Sequence, residues 1–205
     1  MKALLLNGSP HKDGVIALAF DEITKVFLEE GIDCERIEIG SRILPGCLDC
    51  KYCHDHEGCV RHDIVDEVNA KFRLADCLIV GSPVYYASAN GTLVSFLDRL
   101  FYSGRFDKTM KVGASVVSCR RGGASATFDE LNKYFTMNGM PVASSQYWNS
   151  LHGNSREEAL EDLEGLQTMR TLAHNVAFLC KAIHDRKEKD GLPCKERRIA
   201  TNFIR

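Results

Sequence analysis

Ala3-Leu4-Leu5-Leu6-Asn7-Gly8-Ser9-Pro10-His11-Lys12-Asp13-Gly14-Val15-Ile16-Ala17-Leu18 is the stretch that decides the fold. Its first four residues are wholly apolar, as in a strand buried on both faces, and Ile16, Ala17, Leu18 and Phe20 carry a helix. Between them lies a polar turn. A strand that empties through such a turn into a helix gathers unpaired backbone N–H groups and the positive end of a helix dipole at one point, where an anion is held. The expected ligand is a phosphorylated cofactor. The spacing is neither Gly-x-Gly-x-x-Gly, the dinucleotide turn, nor Gly-x-x-x-x-Gly-Lys-Ser/Thr, the NTPase loop. Ser9 offers a hydroxyl, Lys12 a charge, and Gly14 a turn that a side chain would obstruct. The competing reading is an ordinary connection, which Gly, Ser and Pro after a strand also make.

Outward from this unit, strand and helix patterns alternate. Strands are predicted over 32–39, 77–81, 112–118 and, more weakly, 141–145; helices are predicted over 64–74, 91–102 and 124–137. Five short apolar strands separated by helices mean an α/β protein, a doubly wound five-stranded parallel sheet in three α/β/α layers. From Ser155 to His184, apolar residues recur at three- and four-residue steps, which predicts one long amphipathic helix. The expected domain spans 1–186. A tail over 187–205 reads as disordered by default, with Phe203 and Ile204 as residues that would dock on a partner subunit of a homodimer or homotetramer.

Lys plus Arg total 26 against 28 Asp plus Glu, a formal charge of -2. Such a balance gives no electrostatic footprint for nucleic acid or an acidic membrane. The chain passes from Met1-Lys2 straight into a strand with no apolar leader, so the expected location is cytoplasmic.

In a doubly wound sheet, ligands bind beyond the carboxyl ends of the strands at the switch point. Three loops there look equipped: Ser9, His11, Lys12, Gly14, Val15 and Ile16 after the first strand; Pro83, Val84, Tyr85 and Tyr86 after the third; Ser118, Arg120, Arg121, Gly122 and Gly123 after the fourth. They supply a phosphate cradle, an aromatic slot shaped by proline, and a Gly pair beside two cations. A flat ring with a phosphorylated side chain uses all three. Asp98 and Arg99 read as structural ion pairing, and His152 as a surface or packing residue.

Leu6-Asn7-Gly8-Ser9-Pro10, Gly81-Ser82-Pro83-Val84-Tyr85-Tyr86, Phe96-Leu97-Asp98-Arg99, Arg120-Arg121-Gly122-Gly123, and Tyr147-Trp148-Asn149 with His152-Gly153 together resemble the NADPH-dependent FMN reductase branch of the flavodoxin-like superfamily. The resemblance implies strand order 2-1-3-4-5, FMN as cofactor and NADPH or NADH as hydride donor. The first loop would hold the FMN phosphate, the second would shape the ribityl and ring site, and Gly122-Gly123 would approach the pyrimidine edge. The flavin would carry the chemistry, with no catalytic side chain needed, and electrons would pass to a small-molecule or protein acceptor. One departure is visible: Val15 and Ile16 stand where family members carry hydroxyl side chains, which leaves more of the phosphate binding to backbone N–H groups.

The other distinctive feature is Cys47-Leu-Asp-Cys50-Lys-Tyr-Cys53-His-Asp-His-Glu-Gly-Cys59, within a loop over 46–62 after the second strand. Four thiols so spaced can converge on a metal centre, and the Cys-x2-Cys-x2-Cys portion resembles a ferredoxin run. It also resembles the motif of iron-sulfur flavoproteins, which implies a 4Fe-4S cluster and electron transfer from ferredoxin as the alternative function. Free or redox-active thiols, and zinc with His54 or His56, are the other readings. Cys34, Cys77 and Cys180 read as core fillers.

Overall fold

A computed structural model describes residues 1–197 and 199–201; Phe203 and Ile204, the expected docking residues, lie outside them. In chain order the elements are β1 (Lys2–Asn7), α1 (Val15–Glu29), β2 (Asp33–Glu38), α2 (Tyr52–Asp55), α3 (Ile64–Leu74), β3 (Cys77–Tyr85), β4 (Ser88–Ala89), α4 (Gly91–Ser103), β5 (Val112–Cys119), α5 (Ala124–Met137), β6 (Ser150–His152), α6 (Arg156–Ala159) and α7 (Leu163–Asp190). Five parallel strands run in the order β2-β1-β3-β5-β6, and β4 folds back antiparallel on the end of β3.

Strand period two divides the core. Ala3 and Leu5 of β1, with Val112, Ala114 and Val116 of β5, face α1 and α7, while Leu4, Leu6 and Val117 face α3, α4 and α5. Both faces of the sheet are therefore covered, and the ligand ends of β1, β3 and β5 open at one rim.

The fifth strand differs from its expected place. Around Val142 there is a single bridge to Gly113, after which the chain leaves the sheet and returns as β6 beside Val117, Ser118 and Cys119. The reason is a side chain that takes a backbone role. Buried Asn149 donates from Nδ2 to the Ser115 carbonyl at 3.0 Å, and Ser144 gives its carbonyl to Asn175 of α7 at 2.7 Å. These bonds hold the chain over 144–148 off the ladder until Asn149, whose carbonyl accepts from Val117 N at 2.9 Å, rejoins it.

The long helix expected over 155–184 is two helices. Ser155 caps α6, and Asp162 starts α7 afresh by accepting from Gly165 N at 2.9 Å. A Cβ at position 165 would stand 2.4 Å from Asp162 Oδ2, so glycine makes room for that cap. Helix α7 continues to Asp190, past the boundary expected at 186, and Lys195 beyond it pairs with Asp107 at 2.7 Å. Among the described residues no helix is long and apolar enough to cross a membrane.

Glu22 locks α1 to α7, with Lys25 Nζ at 2.5 Å and Arg170 Nη1 at 2.7 Å. Burial alone would push its carboxyl up, but the two cations outweigh it and hold the group below the ordinary glutamate range. A carboxyl lowered in the folded state stabilises above its unfolded value, about 4.3, and loses that contribution as pH falls through the lowered one. Glu22→Gln is expected to cost about 1 kcal/mol at neutral pH. Urea melts at pH 7 and pH 3 check this: the gap between parent and variant should close at the lower pH.

Candidate functional site

The first loop is built by its own side chains. Asn7 Oδ1 accepts from Ser9 N at 3.0 Å, and Ser9 Oγ accepts from His11 N at 3.1 Å, which folds the turn back on itself. Gly14 is the N-cap of α1 and has no side chain to bond the first turn, so the N–H groups beginning at Val15 point into the loop uncapped. Val15 and Ile16 bury their side chains while Ser9 is buried at the turn's base and His11 and Lys12 are exposed around it. Arg156 of α6 arrives from far down the chain, with Nη1 3.0 Å from Asp13 Oδ1 and Nη2 2.7 Å from Asp21 Oδ2.

Backbone contacts hold the three loops together. Gly8 N donates to Gly81 O at 2.7 Å, and Asn90, the N-cap of α4, donates from Nδ2 to Gly8 O at 2.8 Å. A Cβ at Gly40 would lie 2.1 Å from Gly8 O, so the exits of β1 and β2 pack backbone to backbone. Pro83 and Val84 are half-buried, and the turn that follows puts Tyr86 and Ala87 at φ of 51° and 59°. These are left-handed values that cost a residue with a Cβ about 1 kcal/mol or more. Glu130 of α5 pins the turn by accepting from Ser88 Oγ and Ala89 N at 2.8 Å. Tyr85 and fully exposed Tyr86 project from it. The third loop closes on the same turn: Gly123, at φ 90°, has Val84 Cγ1 and Ala87 Cα each 2.9 Å from where a Cβ would be. Ser118 is buried, Gly123 is half-buried, and Arg120, Arg121 and Gly122 are exposed. His152 is engaged by Asp162, which lies 2.8 Å from its N and 3.2 Å from its Nδ1.

The cysteine loop folds over α4 as a lid. A small cavity of about 20 Å³ is lined by Cys47, Cys50, Cys53 and Cys59 together with Tyr102 and Arg99. Asp49 and Lys51 turn the chain through left-handed backbone, at φ of 49° and 61°, which brings the first three cysteines around one side. Cys53 is buried; Cys47 and Cys50 are exposed. Arg99 is 2% exposed beneath them, and it pairs with Asp63 at 2.8 Å, not with its neighbour Asp98. Adjacent helical residues face different ways, and Asp98 instead accepts from Tyr134 Oη at 2.5 Å. Among the described residues no three His, Cys, Asp or Glu side chains form a group able to hold a metal ion. The histidines proposed for zinc are engaged elsewhere: His54 Nε2 lies 3.2 Å from Tyr102 Oη, and His56 stacks on Tyr52 with ring centres 4.1 Å apart. Of the core cysteines, Cys77 and Cys180 are buried, and burial pushes the half-buried Cys34 thiol up to about 11.

Residues 1–154 match the model of the NADPH-dependent FMN reductase family. The chain belongs to this family. Among curated relatives, an iron-sulfur flavoprotein of Methanocaldococcus jannaschii is 31% identical over 192 residues, covering 89% of this chain and 99% of that protein. An iron-sulfur flavoprotein of Methanosarcina thermophila is 29% identical over 194 residues, covering 92% and 100%. Of solved structures, RosB with bound 8-demethyl-8-formylriboflavin-5'-phosphate superposes with a TM-score of 0.71 at 17% identity, covering 100% of this chain and 94% of that one. A flavodoxin from the Archaea gives 0.55 at 15% identity, covering 90% and 99%. The fold is flavodoxin-like, and the family is one of flavin-binding oxidoreductases.

Gly40, Asn90, Arg99 and Arg156 are site-building residues that the sequence reading did not select. Only Asn90 carried a local signal, as an Asn directly before a helix.

Proposed function

We propose that this chain is an iron-sulfur flavoprotein, binding FMN in the three switch-point loops and a 4Fe-4S cluster through Cys47, Cys50, Cys53 and Cys59. The observation that carries this reading is the cysteine pocket: four thiols around a buried guanidinium whose Nε has no hydrogen-bond acceptor among the described residues. An orphaned buried donor calls for an acceptor that the chain itself does not supply. A cluster asks for no tight single-ion cage, since its four irons each take one thiolate. The names of the curated relatives add support.

FMN, when bound, exchanges hydride or single electrons. The chain would hold its phosphate with the first-turn N–H groups of α1 and the Ser9 hydroxyl, aided by Lys12 and His11. Pro83, Val84, Tyr85 and Tyr86 would border the ring, with Ser118 beneath. The N–H groups of Gly122 and Gly123 would offer donors to negative charge at the pyrimidine edge. Arg120 and Arg121 would receive the phosphates of NADPH or the pyrophosphate of NADH, as guanidinium forks do.

A second reading, an NADPH- or NADH-dependent FMN reductase with no cluster, draws on the family description and on those two exposed arginines. Anaerobic reduction by NADPH, NADH and reduced ferredoxin in parallel separates them. Bleaching of cluster absorbance by ferredoxin supports the first reading; rapid flavin reduction by a nicotinamide with no iron in the protein supports the second. Exposed Tyr86, Tyr147, Trp148 and Phe178 favour a homodimer or homotetramer, and sedimentation of the flavin-loaded protein as a monomer would count against it.

A further inference from the structure

Among the described residues Arg99 is the largest fully buried side chain, and its charge is only partly matched. Nη2 donates to both oxygens of Asp63 at 2.8 Å and lies 3.3 Å from Cys59 Sγ; Nη1 reaches the Pro45 carbonyl at 3.4 Å; Nε has no acceptor among the described residues. Asp63 is also shared, because its Oδ1 caps α3 by accepting from Val65 N at 3.1 Å. Removing a guanidinium from water costs several kcal/mol unless its donors are met, and a neutral thiol is a weak acceptor. A thiolate, or the sulfide of a cluster, is an anionic acceptor and makes the stronger charge-assisted bond. In a four-cysteine cluster the thiolates outweigh the positive charge of the iron core, leaving a net anion for this cation to face.

We propose that Arg99 is a positioning residue for that cluster: its Nη2 and Nε hydrogen-bond the Cys59 thiolate and an adjacent sulfide, and its charge raises the cluster's reduction potential. This rests on the cluster reading above. Hydrogen bonds to the sulfurs and net charge are two of the quantities that set such potentials, and burial leaves little solvent to screen the effect.

The test uses anaerobically prepared holoprotein of the parent, Arg99→Met and Arg99→Lys. Iron, acid-labile sulfide and FMN are assayed, and the cluster midpoint is read by an EPR-monitored redox titration. With FMN and iron retained, Arg99→Met is expected to lower the ratio of reduced to oxidised cluster about tenfold at a given potential, a shift of about 59 mV to the negative for a one-electron couple. Arg99→Lys keeps the charge without the Nε donor and is expected to shift less. It also keeps a cation opposite Asp63, so the experiment stays readable if the methionine variant does not fold, and a lysine variant at the parent potential then overturns the proposal. Arg99→Met with full iron at the parent midpoint overturns it too. Parent protein devoid of iron and sulfide refutes the cluster reading itself, and the role of Arg99 falls with it.

Discussion

Cys53→Ala, prepared without oxygen, is expected to lose its iron and sulfide while keeping FMN. Parent protein should carry about four irons per chain, and the variant less than one, because a missing thiolate leaves one iron without its protein ligand. Cys53 is chosen because it is the buried member of the four, with its Sγ toward the Tyr102 carbonyl at 4.0 Å. At exposed Cys47 and Cys50, water has easier access to a vacated position. The flavin should remain, since its three loops follow β1, β3 and β5 and their mutual bonds through Asn90, Gly8 and Gly81 involve no residue of the cysteine loop. Iron and sulfide assays, with flavin measured on the same sample, decide the matter. A variant indistinguishable from a metal-free, fully active parent would retire the cluster.

Gly40→Ala is expected to raise the FMN dissociation constant about a hundredfold, equivalent to about 2.7 kcal/mol. The new Cβ would fall 2.1 Å from Gly8 O and 2.4 Å from the carbonyl carbons of Gly8 and Ser9. No flexible side chain is there to yield. Ile39 N and Gly40 N both donate to Asn7 O, at 2.8 and 3.1 Å, so the strain is relieved only by moving the Gly8-Ser9 peptide. That peptide starts the loop proposed to hold the FMN phosphate. Overpacking of this kind costs about 1–3 kcal/mol in stability as well, and the melting temperature should fall in step. Gly122→Ala serves as the comparison: its Cβ meets nothing within 4 Å, and the parent melting temperature is expected. Flavin fluorescence titration and thermal melts of both variants test the pair.

Much of the scaffold was legible because local signals agreed with tertiary need. Helices over 64–74 and 124–137 have the predicted bounds, the first opened by the Asp63 cap and carrying Val65, Val68 and Phe72 on one face. The three switch-point loops do meet, as a parallel sheet of this order requires. What failed was non-local. Asn149 replaces part of a strand by a side-chain bond to a residue 34 positions away, and Asp162 interrupts an amphipathic pattern whose period gives no warning of the break. Arg99 was read with its neighbour Asp98, whereas its carboxylate partner lies 36 residues off. The contact of Gly40 with Gly8 is likewise created only when two strands exit side by side.

Helix α4 is capped by Asn90, which holds the Gly8 carbonyl of the first loop, and nine residues later Arg99 lies beneath the cysteines. At about 1.5 Å per residue that is about 13.5 Å of continuous rod. The helix is thus a gauge block between the two sites. If FMN and a cluster occupy the two sites as proposed, the rod keeps the gap between them constant. A one-residue insertion within it would lengthen the gap by about 1.5 Å and, at 3.6 residues per turn, swing Arg99 about 100° away from its sulfur.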